Sequence, residues 1–155
     1  MLTKTNPELS EDRPLRPRLA VLMALGCLVL VAFQIALTLG APLGAAALGG
    51  GDRGQLSDAL RVVTALSAVV WLFATLLVLA RGGLAIVPLP HTFARVGTWV
   101  LVGLLGLGAL LNFASSSQWE RFGWGPFTLV LLILGVVLAR SGSPSDCLAP
   151  RAGRG

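Results

Sequence analysis

Four dense runs of apolar residues divide the chain, at positions 19–39, 62–80, 96–114 and 125–139, and nearly all charged residues fall between them. None of the runs alternates with polar residues in the way that an amphipathic surface helix does. About 20 apolar residues at about 1.5 Å rise per residue match the ~30 Å hydrocarbon core of a bilayer, so each run predicts a transmembrane helix. The expected fold is an all-α membrane protein, with four transmembrane helices forming a compact bundle over 19–140. The fourth run is short. Pro126 suits a first helical turn, so that helix is expected to start there or one turn earlier, through Gly123. Segments 1–18 and 141–155, rich in Pro, Gly, Ser and Arg, are expected to be mobile tails.

Composition agrees with this pattern: 55% of residues are hydrophobic and 12% charged, with a mean hydropathy of +0.82. A net charge of +5 would suggest nucleic acid in a soluble chain. Here the arginines stand singly at the ends of the apolar runs, with no basic stripe interleaved with aromatics, so no nucleic-acid partner is expected. Lys4, Arg13, Arg16, Arg18, Arg81, Arg95, Arg140, Arg151 and Arg154 fall on one side of the four-span topology, and Arg53, Arg61 and Arg121 on the other. The positive-inside rule then places both termini in the cytoplasm and loops 40–61 and 115–124 outside. The first run exceeds the apolar core of a secretory signal, about 7–15 residues, which favours a span over a cleaved leader.

No Asp, Glu, Lys, Arg or His occupies the centre of any run, which argues against a proton-coupled pump. Cys27 and Cys147 are far apart and His91 has no partner at metal spacing, so no metal, disulfide clip or cofactor is expected. Uncharged polar residues gather in the outer half. Gln34, Thr38, Thr64, Ser67 and Asn112, with Glu120 and Arg121 from the outer loop, are the candidate lining of an outward-facing polar pocket. At about 100° per residue, Met23, Cys27, Leu30, Gln34 and Thr38 share one helix face. Ser67, Trp71, Ala74 and Val78 share a second, and Leu101, Leu105, Gly108 and Asn112 a third. Gln34 and Asn112 would otherwise bond to each other or to backbone between helices, adding about 0.6–2 kcal/mol to helix association. Gly103, Gly106 and Gly108, with Gly97, make the third helix the candidate packing helix at the centre of the bundle, or across an interface with a second copy.

Both outer loops have local signatures. Ser117-Gln118-Trp119-Glu120 has the spacing of a capping box and predicts a short surface helix, with Trp119 and Trp124 as interfacial anchors. The apolar, glycine-rich loop after the first helix is too broken to span and is expected to cap the helix ends. It lacks the Lys-Ser/Thr of a phosphate loop.

Gly40-x-Pro42-x-Gly44 with Gly49-Gly50, followed by Asn112 and Ser117-x-Trp119-Glu120-Arg121-x-x-Trp124-Gly125-Pro126, resembles an uncharacterised family of four-span bacterial integral membrane proteins. The likeness covers about residues 19–140. It implies a multi-pass protein of the bacterial cytoplasmic membrane, with both termini inside, and supplies no activity.

The leading functional expectation is a non-enzymatic membrane assembly or interaction protein, with membrane lipid, a second copy or another membrane protein as partner. The alternative is a binding or transport unit for a lipid-like or uncharged small ligand in the outer polar pocket. A catalytic reading rests only on Asp52, Asp58 and Glu120, and nothing in the sequence orients them.

Overall fold

The computed structural model describes residues 8–84 and 89–141, with side chains from Leu15 onward. It comprises α1 (Glu8–Thr38), α2 (Asp58–Arg81), α3 (His91–Ala114) and α4 (Gly125–Arg140). Two 3₁₀ turns, Gly44–Ala46 and Leu48–Gly50, lie between α1 and α2, and a π-helical turn, Glu120–Trp124, leads directly into α4. Among the described residues there is no strand, and Leu15–Thr38, Asp58–Arg81, His91–Ala114 and Glu120–Arg140 are each long and apolar enough to cross a membrane. The outward faces fit that reading. Leu110, Val69 and Leu66 are 69%, 65% and 64% exposed, and side chains of this kind along a whole bundle are solvated by hydrocarbon rather than by water.

Four antiparallel helices give the bundle a terminal end, where α1 starts and α4 stops, and a loop end, carrying the connections after α1 and α3. The three faces read from the sequence converge as expected. Met23, Cys27 and Leu30 of α1, Ala74 and Val78 of α2, and Leu101 and Leu105 of α3 form one core with Leu131 and Leu138 of α4. Periodicity identified these faces because the buried positions recur at three- and four-residue steps even where the outward positions are equally apolar.

The arrangement of the helices differs from the expectation. Over an apolar 18-residue stretch of each helix, 39% of the residues are buried in α1 and 22% in α3, so α1 is the most enclosed helix and the glycine-rich α3 the least. Around a Cβ added at Gly103 or Gly108 there is open space, and at Gly106 only Leu132, 3.9 Å away. The close approaches occur at other glycines. Gly26 receives Leu131, Gly82 lies against Ala20, Gly97 faces Leu77 at 2.9 Å from where a Cβ would stand, and Gly135 faces Met23 at 3.1 Å. Glycine content shows where a helix can approach another, but the partner's side chains decide where it does.

At the terminal end Arg81 is buried. Its Nη2 donates to the carbonyls of Ala139 at 3.1 Å and Ser141 at 2.8 Å. Arg16 Nη2 in turn donates to the Arg81 carbonyl at 3.0 Å. The last carbonyls of a helix have no partner within the helix and carry partial negative charge, so a cation here both caps α4 and ties it to α2. The sequence marked Arg81 only as a span boundary. α1 begins at Glu8, so residues 8–18 are helical where a mobile tail was expected. The rest of the expected tails, 1–7 and 142–155 with Cys147, lies outside the described residues.

The short surface helix does not form as a separate element. Helical structure runs unbroken from Gln118 into α4, widening to π geometry at Glu120–Trp124, where the Gly125 N–H donates to the Glu120 carbonyl five residues back. Pro126 accounts for the position of this wide turn. It has no N–H for the carbonyl four residues earlier and its ring crowds that carbonyl, a conflict that a π turn relieves. Half of the capping box is present: the Glu120 N–H donates to Ser117 Oγ at 3.4 Å. The Ser117 N–H donates to Ser115 Oγ at 3.0 Å instead of to Glu120.

Candidate functional site

The loop end encloses a cavity of about 620 Å³, within the range of small-molecule sites. Leu30, Phe33, Gln34 and Leu37 of α1 form one wall, and Val63, Thr64, Ser67 and Trp71 of α2 the next. Gly108, Leu111, Asn112 and Ala114 of α3 form a third wall, completed by Trp124 and Thr128. Of the seven candidate pocket residues, Gln34, Thr64, Ser67, Asn112 and Glu120 line this space.

Thr38 and Arg121 do not. Thr38 Oγ1 lies 3.0 Å from Thr64 Oγ1, and the Thr38 carbonyl accepts from Arg61 Nε at 2.9 Å, which closes the seam between α1 and α2. Arg121 points away and donates from Nε to the Phe113 carbonyl at 3.2 Å. Of the bonds between helices open to Gln34 and Asn112, one to each other is absent, and Asn112 Nδ2 instead faces Thr128 Oγ1 at 3.4 Å on the neighbouring α4. Gln34 Oε1 is buried with no hydrogen-bond partner. An amide oxygen removed from water without a partner costs about 1–3 kcal/mol.

The loop between α1 and α2 forms the roof. Ala46, Ala47, Leu48 and Gly49 cover the cavity, and Ala47 and Leu56 pack with Leu37 in a small core of their own. Glu120 is 7% exposed, and its Oε1 accepts the Gly49 N–H at 2.9 Å. Ser117 Oγ donates to the Ala45 carbonyl at 2.7 Å, and Ser116 Oγ to the Gly49 carbonyl at 3.3 Å. Gly49 and Gly50 have φ of +85° and +71°, a region open to glycine and strained for most other residues. At Gly50 a Cβ would stand 2.8 Å from that of Ser117, so the two loops meet where only glycine fits.

The two candidate anchors part company. Trp119 is 69% exposed at the loop end. Trp124 turns inward, its ring 4.5 Å from Phe33 and 5.7 Å from Phe127, and forms part of the cavity wall. The π turn adds one residue to the helical path between the two tryptophans, so they do not share the face relation that an α-helical count would give them. Sequence reasoning missed Phe33 and Leu37, which flank Gln34 on α1 and were discernible as its neighbours. The loop after α1 does cover the helix ends, through residues 46–49, but its bonds to Glu120 and Ser117 are long-range contacts with no local signal.

The three carboxylates do not form a catalytic set. Glu120 is engaged by Gly49, Asp58 is fully exposed and lies 3.4 Å from Arg61, and Asp52 is exposed on the loop. Among the described residues no group of His, Cys, Asp and Glu is arranged to hold a metal. Comparison with protein-family models, with curated proteins and with solved structures finds no match to this chain. The site is therefore read from its geometry alone.

Proposed function

We propose that this chain is a multi-pass protein of the bacterial cytoplasmic membrane that binds a lipid-like or uncharged small ligand in the cavity at its loop end. The observation that carries this reading is the cavity of about 620 Å³ itself, with Gln34, Ser67 and Asn112 in its otherwise apolar walls. A polar layer serving only to glue helices together would be fully bonded and dry. Native mass spectrometry of the protein released from membranes tests it. A small-molecule adduct on the wild type, lost in Gly108→Phe, is the expected result. Equal spectra for the two proteins would sink the proposal.

The arginine distribution supports an orientation with both termini cytoplasmic and the cavity facing outward. In intact cells a membrane-impermeant thiol reagent should then label Ser116→Cys, which is exposed on the loop, and spare the native Cys147. Labelling of Cys147 alone would reverse the orientation. A second reading, assembly with another copy or another membrane protein, draws on α3, where exposed Gly103 has open space around it. Cross-linking in membranes that Gly103→Leu abolishes would favour that reading.

A further inference from the structure

The cavity has several sides, and most of them are shut. The roof is sewn by the bonds from Gly49 to Glu120 and from Ser117 to Ala45. The floor is the shared core around Leu30 and Leu105. Thr38 and Thr64 close the seam between α1 and α2, and Asn112 with Thr128 the seam between α3 and α4. Between α1 and α4, Phe33 meets Trp124 and Leu131 fills the notch at Gly26.

The remaining side is the gap between α2 and α3. These helices touch toward the terminal end, where Phe73 and Phe93 are 6.2 Å apart edge to face and Leu77 covers Gly97. Toward the loop end they line facing walls of the cavity, and nothing stands within 4 Å of a Cβ placed at Gly108. The lips of the gap are Val63, 46% exposed, and Leu111, 63% exposed. Both are apolar and lie within the spans Asp58–Arg81 and His91–Ala114, so the opening faces hydrocarbon rather than water.

The lining also restricts the head of any occupant. Glu120 is its one charged residue, and no Lys, Arg or His is present to meet an anion. Arg61 and Arg121, the nearest cations in sequence, are turned to the carbonyls of Thr38 and Phe113. An anionic group placed here would lose its hydration with no compensating charge. Gln34, Ser67 and Asn112 offer amide and hydroxyl groups to the space, and a hydroxyl head, which donates as well as accepts, can pair with either kind.

Taking the binding reading as its basis, we propose that the cavity admits, sideways through the gap between α2 and α3, the hydrocarbon chain of a membrane amphiphile whose head offers a hydrogen-bond donor and carries no net negative charge. Phe33, Trp71 and Trp124 would flank the chain, while the head would lie among Gln34, Ser67 and Asn112 below the loop roof.

The four tryptophans supply the test. Trp99 is exposed on α3 and Trp119 on the outer surface, whereas Trp71 and Trp124 line the cavity. The full chain carrying Trp99→Phe and Trp119→Phe keeps only the cavity pair. It is reconstituted in phosphatidylcholine vesicles containing diacylglycerol brominated in its chains, or phosphatidylglycerol brominated in the same way. The expected result is saturable quenching by the neutral lipid, lost when Gly108→Phe is added, with the anionic lipid quenching no more than in that blocked variant. Ser67→Phe, on the opposite wall, is the independent block should Gly108→Phe fail to fold. Quenching by the anionic lipid as strong as by diacylglycerol would overturn the head-group rule. If acrylamide, a neutral quencher in the water, quenches the pair and the blocking variants prevent it, while brominated chains do not, lateral entry is wrong and the binding reading stands. If neither quencher responds to the blocks, the cavity admits nothing and both fall.

Discussion

At the terminal end Gly82 lies against Ala20, so that α1 and α2 approach closely, and the buried Arg81 side chain reaches across to the last carbonyls of α4. At the loop end the same helices stand apart around a cavity, and what joins them is mostly loop: Gly49 to Glu120, Ser117 to Ala45, and Leu56 against Leu37. Close approach removes volume and leaves no room for a guest. Bridging by loops holds helices at a distance, leaving the walls free to carry unpaired polar atoms. The contrast suggests that one end supplies stability and the other tolerates the cost of a site, a division that substitutions can challenge.

The largest loss is expected from Arg81→Met, which keeps the volume but removes the donor to Ala139 and Ser141 and strands both carbonyls. About 3 kcal/mol should be lost, read as a lower midpoint in denaturant titration of the protein in bilayer discs. A loss below about 1 kcal/mol would mean that the buried guanidinium is not what clamps this end. Gly82→Val comes next, at about 2 kcal/mol, because its Cβ meets the Cβ of Ala20 and neither can swing aside. At the loop end, Glu120→Ala should cost about 1 kcal/mol, with its main effect local: protease should cut within 40–57 sooner, and a cutting rate equal to wild type would remove the latch from the account. The smallest effect has the opposite sign. Gly103→Ala, in open space on an exposed helix face, should stabilise by about 0.5 kcal/mol. Destabilisation there would instead point to a neighbour packed on α3 in the membrane.

The same contrast explains what the sequence revealed. The four helices were legible because a bilayer selects for length and apolarity, both one-dimensional properties. The faces of the core were legible through periodicity, and five of the seven proposed lining residues do line the cavity. Pairing was not. Gly103 and Gly97 are equivalent letters on one helix, yet Leu77 sits on one and nothing within the bundle on the other. Arg81 resembled any other boundary arginine until α4 brought its carbonyls alongside. Trp124 was misplaced because its direction depends on a backbone count rather than on its own chemistry.

That count has a consequence beyond one tryptophan. The widened turn at Glu120–Trp124 holds one residue more than the α-helical path would, so everything before it is rotated by about 100° relative to Thr128 and the rest of α4. Shortening the turn by deleting Gly123 would leave every other side chain chemically intact while swinging the carboxylate and its neighbours around the helix axis, away from Gly49. Whether the roof stays fastened is thus written in the number of residues in one turn, and a single-codon deletion there should unfasten it more completely than any exchange of one residue for another.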